Sequence, residues 1–319
     1  MIQKLIEFLI NNDIKFEKNV PLKKRTWIKT GGFVSVWIEP CVIESLILLA
    51  KFLFENQIKY EIVGHTSNIY YLDTTNPEVV ISTKNLTSYQ IVGSCVICDC
   101  GVRVSSLSRS LVNQGIIGFS GLVSLPGTVG AATVNNSSCF GSEFSSLIKD
   151  ISLFDKSNGT IMTVGAESLM YSHRSSLLKN KIIDAIVLSV SLRLIRGNVD
   201  DEVRKANEAI EIRRQTQEPP AYTLGSVFAN LNERKSIGLF FFKKWYLLLA
   251  KAHLGKIPSR THLLLKYYGY ENLSPYVSDK NVNTFIWRPE IDNKAFVFFE
   301  YCRFMRKAFV NPRLEIEVR

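Results

Sequence analysis

Residues 118–141 read GFSGLVSLPGTVGAATVNNSSCFG, a run of small and hydroxyl-bearing residues with no charged side chain. Pro126 followed by Gly127 marks a tight turn. A long run of small residues lets a ligand lie directly on the main chain, where successive amides bind an anion. Alone, the stretch reads as a long surface loop. A second small-residue stretch, GHTSN at 64–68, follows the mostly apolar run 60–63. Two such loops in one chain suggest a phosphate-bearing cofactor held between them.

Composition narrows the class. The chain has 319 residues, 46% hydrophobic and 21% charged, which suits a globular protein of two or three domains rather than a disordered one. The net charge of +10 suits an anionic ligand such as a nucleotide sugar, or nucleic acid. No helix-turn-helix, zinc-finger or RNA-recognition pattern is present, so no nucleic-acid partner is expected. Cys95, Cys98 and Cys100 lie close together, but no second pair or nearby His completes a metal site. We read the six cysteines as reduced thiols and expect no metal. The amino terminus lacks a signal-peptide pattern, and the apolar stretch 237–254 is broken by Lys243, Lys244 and Lys251. A soluble, cytoplasmic protein is expected.

Periodicity predicts a first helix with Ile2, Leu5, Ile6, Leu9 and Ile10 on one face, then a strand at 34–38, a helix at 43–55 and a strand at 60–63. This is a βαβ unit ending in the GHTSN loop. Strands are predicted at 79–82, 88–92 and 95–100, a helix at 104–114, and a hairpin of 147–154 with 160–164 around Lys156-Ser-Asn-Gly159. A long strand at 182–195 and a charged helix at 198–215 follow, broken at 217–220. The last third is read as helices at 263–268 and 293–309 with strands at 283–287 and 314–318. Mixed strands with few intervening helices give an α+β fold.

The stretch PGTVGAATVNNSSCFG resembles the flavin-binding signature of the UDP-N-acetylenolpyruvoylglucosamine reductase (UDP-N-acetylmuramate dehydrogenase) family, and GHTSN resembles its Gly-x-Gly-Ser-Asn loop. Further matches occur in order. Thr26 to Gly32 resembles a Thr-x-x-x-Gly-Gly element. Tyr171-Ser-His-Arg-Ser-Ser resembles Phe-x-Tyr-Arg-x-Ser. Arg213-x-x-x-Gln217 and Gly225-Ser-Val-Phe-Ala-Asn230 resemble Arg-x-x-x-Gln-Pro and Gly-Ser-x-Phe-x-Asn. Ser278 to Asn283 resembles Ser-Glu-Lys-His-Ala-Asn, and Leu314-Glu-Ile-Glu-Val-Arg319 resembles Leu-Glu-Pro-Glu-Val-Arg. The chain departs from the pattern at Thr66, Ala131 and Ser138, where the family has Gly, at His173 for Tyr, and at Glu218 for Pro. It reads as a divergent member.

The resemblance implies an FAD-binding domain of the vanillyl-alcohol-oxidase/PCMH type at 25–197, preceded by an N-terminal helix and lead-in at 1–24. A smaller α+β substrate-binding domain is implied at 198–319, with an insertion near 233–260. It implies that Gly64, His65, Thr66, Ser67, Asn68, Pro126, Gly127, Thr128, Gly130 and Asn136 line the FAD, and that NADPH is the hydride donor. It further implies a flavoprotein oxidoreductase that reduces UDP-N-acetylglucosamine enolpyruvate to UDP-N-acetylmuramate. Such a protein serves peptidoglycan synthesis, and through it cell shape and division. Arg174 and Glu317 take positions that stabilise an enolate, and Ser226 that of the proton donor. Read alone, Arg174 is a surface arginine, Ser226 a turn residue, and Glu315 and Glu317 two carboxylates on one face of an edge strand. A divergent flavin oxidoreductase for another nucleotide sugar, and a non-catalytic nucleotide-sugar-binding relative, are the alternatives. The insertion is read as one amphipathic helix bearing Phe240, Phe241, Trp245, Leu248 and Leu249, docked on the substrate domain or on a partner. Contact with a membrane surface is its less favoured alternative.

Overall fold

The computed structural model describes residues 1–253, 259–290 and 293–319. They form an α+β fold in two units. Unit 1 comprises Met1–Thr26, Gly31–Ser67 and Thr74–Glu211; unit 2 comprises Trp27–Thr30, Asn68–Asp73 and Ile212–Arg319.

Unit 1 holds two larger sheets and a two-stranded pairing of Ser138–Cys139 with Ser142–Glu143. The four-stranded sheet has the order Phe16–Pro21, Phe33–Ile38, Val79–Ser82, Glu61–Val63. Its first pair is antiparallel and the others are parallel. Helix Ile43–Glu55 makes the crossover, burying Leu46, Leu49, Ala50 and Leu53. The expected βαβ unit is therefore split, because the strand Val79–Ser82 inserts between its two strands. The amino-terminal helix Ile2–Asn11 buries Leu5 and Leu9 in the same core, and Phe8 stacks on Phe52 with centroids 3.9 Å apart. This packing makes the helix part of unit 1 rather than a separate lead-in.

The second sheet is antiparallel throughout, in the order Ile161–Gly165, Ile148–Asp155, Ala185–Arg193, Cys95–Asp99, Tyr89–Val92. Alternation puts Ile151, Leu153, Val190, Leu192, Val96 and Cys98 into the core. The stretch read as one long loop is more structured than expected. It winds a turn of 3₁₀ helix at Ser120–Leu122 and an α-helix at Val129–Asn135. Thr128 caps that helix by accepting from the Ala131 amide, and Val129 and Ala132 are buried beneath it.

Unit 2 has an aromatic core of Tyr70, Phe285, Trp287, Phe298, Tyr301 and Phe304. Helices Ile237–His253, Arg260–Tyr268 and Lys294–Ala308 belong to it, with three two-stranded pairings. The strand expected at 283–287 does not form as a ladder. Its backbone groups go to separate partners: Val227 and Tyr222 through the Asn283 carbonyl and the Trp287 amide, and Tyr276 through the Ile286 amide. The strand expected at 314–318 splits in two. Arg313–Leu314 pairs antiparallel with Phe228–Ala229, and Glu317–Val318 pairs parallel with Ile69–Tyr70. The division between the units falls inside helix Val199–Thr216, later than the break at 197 read from the sequence.

Candidate functional site

In unit 1 the two small-residue loops interlock. Gly64 follows the strand Glu61–Val63, and a Cβ placed on it would lie 2.5 Å from Thr128 Oγ1. Gly127 has φ +109, which a side chain rarely tolerates, and a Cβ there would lie 3.2 Å from Ser67 Oγ. Loop 126–130 is fixed by the chain just before helix Val104–Val112. The Val104 amide donates to the Gly127 carbonyl, the Val129 amide to Val102 and the Gly130 amide to Cys100. Gly64, Ser67, Gly127 and Thr128 thus converge with no room for larger side chains at the two glycines, while a Cβ on Gly130 would meet Cys100 Cβ at 2.8 Å. Thr66, at the second glycine position of the loop pattern, is buried with φ +53. A β-branched residue in that region is strained, and the fold retains the glycine-like backbone without the glycine.

Arg103 is a residue that sequence reading missed. Its Nε donates to His65 Nε2 at 3.3 Å. Burial, with Arg103 and Lys84 nearby, pushes the His65 imidazole down to about 4, so His65 is a neutral acceptor. Lys84 in turn bonds Glu39 Oε1 at 2.6 Å. Glu39 is 3% exposed and also accepts from Trp37 Nε1 at 2.7 Å. Burial alone would raise its pKa. Lys84, Trp37 and Arg25 outweigh that, and the carboxylate is held below its ordinary value. No spacing in the sequence pointed to Arg103, because it approaches His65 only through the crossover of the chain.

Asn136, an expected cofactor residue, is engaged with neighbouring segments. It ends helix Val129–Asn135 with φ +45. Its side-chain amide donates to Glu143 Oε1 at 2.7 Å and to the Ser172 carbonyl at 2.8 Å, and its Oδ1 accepts from the Ser145 amide. These bonds make the side chain a brace between segments. The brace lies beside a polar depression of about 600 Å³ lined by Ser138, Ser142, Ser172 and His173 among others. Arg174 sits in the tight turn closed by Ser172 and Ser175, with φ +55, and its Nη2 donates to the Ser138 carbonyl at 2.9 Å. Ser176 is structural: its hydroxyl donates to Val134 O at 2.6 Å.

Asn68, Ser226 and Glu317 belong to unit 2. Ser226 precedes the strand Phe228–Ala229, which Asn283 pins by accepting from the Phe228 amide at 2.9 Å and donating to the Phe228 carbonyl at 2.7 Å. The Glu315 amide donates to the Val227 carbonyl at 2.9 Å, so the chain carrying Ser226 runs beside the chain carrying Glu317. The Glu317 amide donates to Asn68 O at 2.9 Å, and Asn68 Nδ2 reaches Glu315 O at 3.3 Å. The Glu317 carboxylate takes Arg319 through both Nη2 at 2.6 Å and Nε at 3.2 Å, and Arg319 Nη1 reaches Tyr71 Oη at 3.1 Å. Asn283 and Arg319 were both in matched motifs, yet neither had been given a role. Glu218, standing where a proline was expected, accepts from the Ser278 hydroxyl at 2.7 Å.

Residues 34–165 match the family described as FAD binding domain, so unit 1 carries an FAD-binding fold. The UDP-N-acetylenolpyruvoylglucosamine reductase of Pelagibacter ubique is 32% identical over 226 residues, 69% of this chain and 72% of that protein. That of Clostridioides difficile is 30% identical over 226 residues, 70% of this chain and 72% of that protein. The crystal structure of the Thermus caldophilus UDP-N-acetylenolpyruvylglucosamine reductase aligns with a TM-score of 0.69 at 21% identity, covering 96% of this chain and 99% of that one, a likeness of fold. Identity of this level over more than two thirds of both chains establishes the family: the chain belongs to the UDP-N-acetylenolpyruvoylglucosamine reductases.

Proposed function

We propose that this chain is an FAD-dependent oxidoreductase that uses NADPH to reduce UDP-N-acetylglucosamine enolpyruvate to UDP-N-acetylmuramate, a cytoplasmic step of peptidoglycan precursor synthesis. The observation that carries the reading is the interlock of Gly64 with Thr128 and of Gly127 with Ser67, a small-residue cradle within a chain of this family. Bound FAD supplies the two-electron carrier for adding hydride to the terminal alkene carbon. The chain's own residues handle the charge and the proton. As hydride adds, negative charge develops on the neighbouring carbon and spreads into the substrate carboxylate. In this reading Arg174 faces that charge as a fixed cation. The Ser226 hydroxyl gives its proton to the carbon, completing addition of one hydride and one proton across the double bond. Glu317 helps an anion only when its own charge is compensated, and its pairing with Arg319 supports that requirement. Gly64, His65, Thr66, Ser67, Pro126, Gly127, Thr128 and Gly130 are the proposed FAD contacts, with Asn68 and Asn136 contributing through backbone placement.

The test is spectroscopic. Purified protein should be yellow, with about one flavin per chain. NADPH should bleach it, and the enolpyruvyl sugar nucleotide should restore the colour. A protein that takes up no FAD sinks the reading, and bleaching without recolouring by this substrate redirects it to another nucleotide sugar. Ser226→Ala should leave the bleaching rate near normal and slow recolouring by roughly a hundredfold to ten-thousandfold. Unchanged recolouring would make Ser226 a turn residue only.

A further inference from the structure

Helix Ile237–His253 is apolar on two faces. One face is used: Leu239 is 3% exposed, and Phe242 packs on Tyr267 with centroids 5.3 Å apart while Tyr246 packs near His262. The other face is bare. Ile237, Phe240, Phe241, Trp245 and Leu248 are 59–79% exposed. Their spacing of three and four residues stacks them in a single stripe along the helix. Single exposed apolar residues need no explanation, but five large ones in a continuous stripe mark an interaction surface.

Charge decides what the stripe meets. The helix sequence contains no Asp or Glu. Glu233, beside its start, is taken by Lys243 and Arg260 at 2.5 Å each. Lys244 lies within the stripe, its Nζ 5.8 Å from the Phe240 ring centroid, and Lys235 is exposed just before the helix. Neither has a carboxylate partner among the described residues. A second copy of this chain would bring the same lysines, and a net charge of +10, against themselves. An anionic bilayer complements them. Phe and Trp settle at the acyl–headgroup boundary while Lys reaches the phosphates. No helix among the described residues is long and apolar enough to cross a membrane, so the helix would lie in the plane of the surface. We infer that the stripe of helix Ile237–His253 docks the protein on anionic phospholipid surfaces.

The experiment is co-sedimentation of the full chain with vesicles of phosphatidylcholine alone or with about one third phosphatidylglycerol. At low salt the anionic vesicles should bind about tenfold more protein or better, and 1 M salt should erase most of that preference. Tryptophan emission should shift to the blue on binding. Trp37 and Trp287 are 2% and 0% exposed and Trp27 is half-buried, so the part of the shift that Trp245→Phe removes reports Trp245. The pair Phe241→Ser and Trp245→Ser should lose binding by about tenfold or more while flavin content and circular dichroism stay unchanged. Lys235→Glu with Lys244→Glu should remove the anionic preference, and serves if the first pair misfolds. Wild-type protein that stays in the supernatant with anionic vesicles overturns the proposal. So does equal pelleting of wild type and both variant pairs, or concentration-dependent self-association that the variants abolish.

Discussion

Single atoms hold the cradle together. Gly64→Ala would set a Cβ 2.5 Å from Thr128 Oγ1, so the Thr128 side chain must leave its helix cap or one of the two loops must move. We expect a loss of about 1–3 kcal/mol in urea unfolding and a lower flavin content. Thr128→Ala removes the obstructing oxygen, so the double variant should lose less than the sum of the singles by about 0.5 kcal/mol or more. Strict additivity would mean that the loops do not touch. His65 gives a pH signature. Its imidazole sits at about 4 in the fold against an ordinary 6.5. Between those values the unfolded chain binds a proton that the folded chain does not, so stability falls as pH drops from 6.5 to 4. His65→Asn should flatten the melting temperature across this window; an unchanged slope would assign the acid sensitivity elsewhere. The types at 64–68 were legible in the sequence. That Thr66 keeps a left-handed backbone, and that Arg103 is the partner of His65, were not, since both depend on chain segments packed from elsewhere.

Elements show where local pattern stops short. Helix Ile43–Glu55 was legible to the residue, because its apolar spacing and its burial coincide. The carboxy-terminal strand was not. Alternation reads one strand at 314–318, but Arg313–Leu314 and Glu317–Val318 have different neighbours, and the turn between them buries Ile316. Asn283 is the hidden link. Its side chain replaces a ladder by satisfying both backbone groups of Phe228. Asn283→Ala strands those groups in the buried strand, where Phe228 is 2% exposed. The expected cost is about 1–3 kcal/mol. Since Asn283 holds Phe228, two residues after Ser226, the change should also slow recolouring of reduced flavin by the enolpyruvyl substrate while leaving NADPH bleaching intact. Bleaching and recolouring slowed alike would instead indicate general loosening.

For the whole molecule, each unit has its own core, and this separates the expected losses. Nearly all proposed FAD contacts lie in unit 1, whereas Ser226 and Glu317 lie in unit 2. Removing residues 317–319 takes away a strand of unit 2, the Glu317 carboxylate and Arg319. The truncated protein should remain yellow and lose turnover with the enolpyruvyl substrate. Wild-type turnover would reduce Glu317 to a surface carboxylate, and a colourless product would show that flavin retention needs the terminal pairing with Asn68 and Ile69.

The sequence by itself determined the secondary elements with strong periodicity, the α+β class, the two small-residue loops and the family motifs in their order. These are local properties: apolar spacing, turn-forming residues and side-chain size act over a few neighbours along the chain. Only the tertiary structure decided what those pieces touch. It inserted Val79–Ser82 into the βαβ unit, wound a helix from residues read as loop, and gave segments 27–30 and 68–73 to unit 2. It braced Asn136 against Ser172 and Asn283 against Phe228, and tied the Glu317 amide to Asn68. Each of these rests on hydrogen bonds or packing between residues far apart in the chain, which no short window of sequence contains.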